Sequence, residues 1–235
     1  MIPKTIHYCW FGGNEKPKLT KRCIKSWEQL CPDYSIIEWN ENNFDINQHP
    51  YLVWCYKNKK WAFLSDLARL IVVNKNGGIY LDTDVELVRR PDELLNYSAF
   101  FCFENSKYVA TGLGFGAEKN HETLIEMIRA YDDLKVNEDG SYPLIVCPKL
   151  NTEALLSFGL RLNGMRQNIA GAEILPVEYL NPYNDQTGVL NKTDKTISIH
   201  WYSKAWLDRK TILRSKMSKP LHRLFGVDCF RKLRK

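Results

Sequence analysis

Residues 61–84 constrain the fold of this chain more than any other stretch. Trp61 to Lys75 (WAFLSDLARLIVVNK) reads as one nearly all-apolar helix. Asn76-Gly77-Gly78 stops it, since glycine tolerates the left-handed conformation that ends helices. Ile79-Tyr80-Leu81 is then a short buried strand, and Asp82-Thr83-Asp84 lies at its end. A buried helix feeding a buried strand is the working unit of an α/β fold.

The first forty residues agree. Ile2 to Phe11 reads as a strand, ended by Gly12-Gly13. Residues 17–30 place Leu19, Cys23, Ile24, Trp27 and Leu30 at helical spacing, and Pro32-Asp33 breaks the helix. Tyr34 to Trp39 is a second strand, so the two strands are expected to pair in parallel. Further strands are expected at 98–103, 112–117, 172–176 and 195–200, with helices at 120–131 and 150–158. Neither a repeat nor a Pro/Gly/Ser linker interrupts the chain. The expectation is a single domain over 1–206 with a basic helical segment at 207–235.

Composition excludes several classes. With 44% apolar and 26% charged residues among 235, the chain is neither disordered nor fibrous. No apolar run approaches the roughly 18–20 residues of a membrane span. The opening Met1-Ile2-Pro3-Lys4 lacks the basic-then-apolar pattern of a signal peptide, so a cytoplasmic location is expected. Seven cysteines, an odd number without a C-x-x-C pair, suggest buried reduced thiols rather than disulfides or a zinc ribbon.

The net charge of +6 is uneven. Residues 201–235 hold eleven Lys/Arg against two acids, whereas residues 1–200 carry a balance of −3. Such a basic block meets anionic surfaces. Leu221, Leu224, Phe225, Val227, Phe230 and Leu233 allow a short amphipathic helix that can lie on a membrane, with an ordinary solvated C-terminal helix as the alternative.

Asp82 and Asp84 carry the chemistry. In open α/β sheets, ligands bind beyond the carboxyl ends of the strands. Hard divalent cations take carboxylate oxygens there together with substrate phosphates. One aspartate can bind the metal while the other reaches it through water or holds a ribose. Asp66 and Arg69 lie i, i+3 on the apolar helix, where ionised groups are costly unless paired or ligand-bound. They read either as a structural ion pair or as part of the same pocket. Thr111-Gly112-Leu113-Gly114-Phe115-Gly116-Ala117 lacks the dinucleotide-binding spacing and reads as a close backbone approach to a bound ligand, or as a bend in a strand. Pro148, Asn151 and Thr152 are expected on the acceptor side.

Leu64-Ser65-Asp66-Leu67-Ala68-Arg69 with Asn76-Gly77-Gly78-Ile79-Tyr80-Leu81-Asp82-Thr83-Asp84-Val85 closely resembles the sugar-binding D-x-D region of glycosyltransferase family 32. That family includes yeast-type initiating mannosyltransferases and bacterial capsule and lipopolysaccharide transferases, and the block is similar to clostridial toxin glucosyltransferase domains. The opening strand Ile2–Gly13 and the segment His200-Trp201-Tyr202-Ser203-Lys204-Ala205-Trp206 also look like family segments. The resemblance implies a GT-A fold, a Rossmann-like mixed sheet flanked by helices, and metal-dependent retaining transfer of a hexose. Asp84 and His200 would hold Mn²⁺ or Mg²⁺, with Asp82 reaching it through water. Asp66, Arg69 and Asp82 would hold the donor sugar. Tyr80 would line the pocket, Trp10 would flank the nucleobase and Trp206 would cover the diphosphate. The family usually has two adjacent histidines where this chain has His200-Trp201, which leaves Ser203 as a weak substitute ligand. No catalytic base is assigned.

The resemblance also implies the partners: a nucleotide sugar, expected to be UDP-linked, and a glycan acceptor, lipid-linked in cell-surface polysaccharide synthesis. The basic tail would place the chain peripherally on the inner face of an anionic membrane. Two other readings are weaker. A haloacid-dehalogenase-like phosphatase also uses D-x-D after a buried strand, but here Glu86 follows Val85 and the only later acidic pair is Asp132-Asp133. A nucleic-acid-binding reading rests on the basic tail alone, so no nucleic-acid partner is expected.

Overall fold

A computed structural model describes residues 1–204, 209–227 and 229. The chain opens β1 (Thr5–Cys9), α1 (Lys18–Leu30), β2 (Ser35–Trp39), α2 (Pro50–Lys57), α3 (Trp61–Asn76), β3 (Gly78–Tyr80) and β4 (Val85–Leu87). It continues β5 (Ala99–Asn105), β6 (Tyr108–Val109), β7 (Phe115–Ala117), α4 (Glu122–Asp132) and α5 (Cys147–Leu156). It closes with β8 (Gln167–Ile169), β9 (Ala172–Leu175), α6 (Val177–Leu180), β10 (Tyr183–Asn184), β11 (Val189–Leu190), β12 (Ser198–His200) and α7 (Arg209–Phe225).

The main sheet runs β2-β1-β3-β7-β5-β9-β8, with β6 on β5. β1 pairs in parallel with both β2 and β3, as an α/β unit requires. β7 is antiparallel to β3 and to β5. β3 and β5 therefore point the same way, and their carboxyl ends share one edge. The sheet is mixed, and apolar clusters lie on both faces. One gathers α3, α4 and α5 around Leu67, Leu70, Phe101 and Phe115; the other gathers α1 and β4 around Trp27, Ile79 and Leu113.

α3 explains the first cluster. Leu64, Leu67, Ala68, Leu70, Ile71, Val72 and Val73 are buried, and each large one contributes about 1.5–3 kcal/mol. Arg69 is buried among them, the one charged member. The turn out of α3 needs glycine: Gly78 has φ +107°, and a Cβ there would lie 2.8 Å from His7 Nε2 and from the Thr5 carbonyl. His7 itself is fixed by Trp39 Nε1, which donates to its Nδ1, leaving Nε2 to donate to the Gly77 carbonyl.

Local readings differ in detail. The expected strand at 112–117 is a 3₁₀ turn over Thr111–Leu113 followed by β7. Gly114, at φ +110°, breaks the pairing, so only three residues join the sheet. α2 and β4 have no counterpart among the expected elements, because eight and three residues carry too little periodicity. The C-terminal helix ends at Phe225, with Gly226 at φ +83°, so Val227 lies beyond it. Phe230 and Leu233 lie outside the described residues. Cys9, Cys23, Cys31, Cys55, Cys102 and Cys147 are buried free thiols, and Cys229 is free and partly exposed. Among the described residues no helix is long and apolar enough to cross a membrane.

Candidate active site

The site is built at the carboxyl end of β3. The chain turns immediately after that strand, with the Val85 N–H donating to the Asp82 carbonyl at 2.9 Å. This turn throws both carboxylates to one side. β4 then pairs antiparallel with β12, placing His200 opposite Val85. His200 Nε2 thereby sits 3.1 Å from Asp84 Oδ1. The Ser203 N–H donates to Asp84 Oδ2 at 2.7 Å, and the Trp201 N–H to the Asp84 carbonyl at 3.0 Å.

Asp82, Asp84 and His200 each offer one ligand atom, and these atoms lie within 4.8 Å of one another. Two carboxylates and an imidazole suit a divalent cation of manganese type, since carboxylates favour hard ions and imidazole favours transition metals. His200 Nδ1 is buried and makes no hydrogen bond. The residues present therefore fit a metal. Ser203 touches Asp84 through its backbone N–H, and its side chain also acts on that carboxylate.

A second group adjoins the first. Arg69 Nη2 donates to Asp66 Oδ1 at 2.6 Å, and Arg69 Nη1 reaches Asp82 Oδ2 at 3.4 Å. The guanidinium also lies 5.1 Å from the centre of the Tyr80 ring. Tyr80 is buried and meets the site through its hydroxyl, which donates to Asp82 Oδ1 at 3.0 Å. The ion pair and the aspartate pair, read separately from the sequence, are thus one network joined at Asp82.

Electrostatics divide the carboxylates. Burial pushes Asp66 up to about 6, against the pull of Arg69 and with help from Asp82. Asp82 is also raised, by burial and by Asp84, although Arg69 opposes it. Asp84 goes the other way: burial would raise it, but His200 and the Ser203 N–H together hold it below the ordinary range. Burial would lower His200, yet Asp84, Asp82 and Glu104 hold it above the ordinary 6.5.

The glycine-rich segment closes one side. A Cβ at Gly112 would lie 2.8 Å from Asp82 Oδ2 and 3.1 Å from Arg69 Nη1, so this is a close backbone approach. Asn151 Oδ1 accepts from the Thr111 hydroxyl at 2.9 Å, and the Thr152 hydroxyl accepts from the Val109 N–H at 2.9 Å. Both side chains are buried and anchor this segment rather than opening onto an acceptor.

Trp10 follows β1, whose parallel pairing with β3 brings the carboxyl ends of the two strands to one edge. It lines a cleft of about 440 Å³ with Asn14, Lys16, Glu38, Asn40 and Glu41. Its Nε1 donates to the Asn14 carbonyl at 2.8 Å, and Lys16 Nζ lies 5.6 Å from its ring centre. Trp206 lies outside the described residues.

Sequence reasoning missed Glu104 and Tyr202. The Tyr202 ring lies 4.0 Å from that of His200, and its hydroxyl donates to Asn181 Oδ1 at 3.1 Å and approaches Glu104 Oε1 at 3.5 Å. The signal was present: Glu104 follows the buried run Ala99–Phe103, as Asp82 follows Ile79–Leu81.

Residues 17–101 match the family described as "Glycosyltransferase sugar-binding region containing DXD motif". The match takes in the helix, the Gly-Gly turn and both aspartates of the site. The chain is similar to inositol phosphoceramide mannosyltransferase 3 of Schizosaccharomyces pombe, 31% identical over 132 residues. That match takes in 54% of this chain and 36% of the relative, so the chain spans little more than a third of its length. An uncharacterized glycosyltransferase of Acanthamoeba polyphaga mimivirus is 26% identical over 218 residues, covering 86% of this chain and 83% of that one. Among solved structures, a glycosyltransferase involved in the glycosylation of the major capsid of PBCV-1 superposes with a TM-score of 0.50 at 10% identity. It covers 91% of this chain and 98% of that one, and the likeness shows the fold. The DXD region thus sits in a GT-A glycosyltransferase fold, as the mixed sheet and its flanking helices indicate.

Proposed function

We propose that this chain is a metal-dependent retaining glycosyltransferase. It moves a hexose from a UDP-linked donor to a glycan acceptor, lipid-linked, in cell-surface polysaccharide synthesis at the inner face of a membrane. The observation that carries the reading is the joining of the Asp82-Asp84-His200 group to the Asp66-Arg69 pair through Asp82. One group suits a divalent cation on a diphosphate, and the other suits sugar hydroxyls.

A bound Mn²⁺ or Mg²⁺ would offset the charge that develops on the departing nucleoside diphosphate. Asp84 and His200 would hold it, and Asp82 would reach it through water. Asp66 and Arg69 orient the sugar, and ionised Asp82 stands where positive charge develops on the ring. Trp10 flanks the base in its cleft. The domain over 1–206 carries these roles, and the segment 207–235 serves location.

The name of the fungal relative, an inositol phosphoceramide mannosyltransferase, supports a lipid-linked acceptor and favours mannose as a second candidate for the hexose. A panel of UDP-, GDP- and CDP-sugars decides, read by nucleotide release and thermal shift with and without Mn²⁺. A metal-dependent response to one donor is expected. No response to any nucleotide sugar, with metal or without, would overturn the reading.

A further inference from the structure

The α7 helix presents two opposed faces. A helix of 3.6 residues per turn puts Leu213, Met217, Leu221 and Leu224 on one stripe, with Phe225 at its edge. These side chains are exposed; Leu213 is 59%, Met217 69% and Leu224 74% open to solvent. The opposite face is spent on the body. Lys219 Nζ donates to the Tyr183 hydroxyl at 2.8 Å and to Asp185 Oδ1 at 3.1 Å. Arg223 Nη2 donates to the Gly188 carbonyl at 3.2 Å, and Ser215 accepts from Lys204 Nζ at 2.7 Å. Lys204 also pairs with Asp185 at 2.5 Å. The hairpin of β10 and β11 therefore fixes which face of the helix looks outward.

The outward face has a consistent charge. Arg209–Phe225 contains no acidic residue, and exposed Lys210, Arg214 and Lys216 border the apolar stripe. An apolar stripe on an ordinary solvated helix would be a liability. With a wholly basic border it matches an interfacial helix, whose apolar side chains enter the acyl boundary while lysine and arginine meet anionic headgroups.

We infer that Leu213, Met217, Leu221 and Leu224 form a docking face for an anionic bilayer surface, held in orientation by the β10–β11 hairpin. The inference deepens the membrane-surface part of the functional reading and rests on it. The same helix joins the strap at 200–204 through Lys204, so docking sets how the metal site is presented to a lipid-borne acceptor.

The test is co-sedimentation of the full chain with vesicles of phosphatidylcholine alone and of phosphatidylcholine mixed with phosphatidylglycerol. Binding to the anionic vesicles and not to the neutral ones is expected. The triple variant Leu213→Ser, Met217→Ser, Leu224→Ser, which keeps every charge, should lower the partition coefficient by about tenfold or more. Circular dichroism and the melting temperature should not move, since these side chains make no core contact. Unchanged vesicle binding in the triple variant would overturn the docking face while leaving a membrane location standing. Loss of both vesicle types in the parent chain would overturn both. A self-association of the parent chain that the triple variant abolishes, with no vesicle binding, would assign the face to a second copy instead. None of these outcomes touches donor turnover, which depends on the Asp82-Asp84-His200 group and the Asp66-Arg69 pair and reports on the glycosyltransferase reading separately.

Discussion

Ser203 donates its backbone N–H to Asp84 Oδ2 at 2.7 Å across 119 residues of chain. The aspartate that faces His200 on one oxygen thus holds the C-terminal strap with the other. Asp84 has a ligand's chemistry and a structural duty together, and the two separate by substitution.

Asp84→Asn keeps an oxygen to accept from Ser203 and removes the charge. Activity should fall on the order of a thousandfold, as expected for several kcal/mol of lost charge stabilisation, while the chain stays folded with a melting temperature lowered by loss of the His200 pair. Asp84→Ala also strands the Ser203 N–H and should cost a further ~1–3 kcal/mol of stability. Urea unfolding of both variants beside nucleotide release checks this. Full activity in Asp84→Asn would break the metal assignment.

Arg69 is the sole cation in contact with Asp66 and Asp82 among the described residues. Arg69→Met should destabilise by ~3–5 kcal/mol, because it removes a buried cation and leaves two partly buried carboxyls facing each other. Asp66→Asn should cost less, since Arg69 keeps Asp82. Calorimetric titration should also show Asp66→Ala weakening nucleotide-sugar binding more than free nucleotide. Equal losses would count against a sugar role.

Gly112→Ala tests the close approach. The new methyl would lie within 3.1 Å of both Asp82 and Arg69, so the pair or the 3₁₀ turn must shift. A stability loss of ~1–3 kcal/mol is expected, with donor binding weakened more than that of Gly140→Ala, whose surroundings are open. Equal binding by the two variants would remove Gly112 from the site.

Metal affinity should depend on pH in a stated direction. A metal-bound histidine must be neutral, and the neighbouring carboxylates hold His200 above 6.5. Mn²⁺ affinity should therefore climb as pH rises through and beyond 6.5, measured by tryptophan quenching. Stability of the metal-free chain has the opposite sign. The His200–Asp84 pair stabilises fully below 6.5 and loses this as pH rises through the raised value of His200; on the acid side it is lost as Asp84 protonates. A flat metal affinity across this range would disprove the coupling.

Much of the site was legible because it is local. Asp66 and Arg69 are one turn apart, and Asp82 and Asp84 share one strand end. Helical periodicity, a glycine stop and an apolar triplet needed no partner to be read. Trp10 was legible as a residue at a strand end, but the cleft it lines was not, since no local pattern measures a cleft.

Local chemistry was enough to read the helix from Trp61, the turn at Gly77-Gly78 and the carboxylates that follow β3. These depend on backbone sterics and on burial periodicity, which act over a few residues. Long-range packing set β12 on β4, Gly112 against Asp82, and Glu104 and Tyr202 near His200. Strands of three residues carry almost no register information, so their partners are chosen by packing of the whole sheet. The joining of ion pair, aspartates and histidine into one network is a product of that packing.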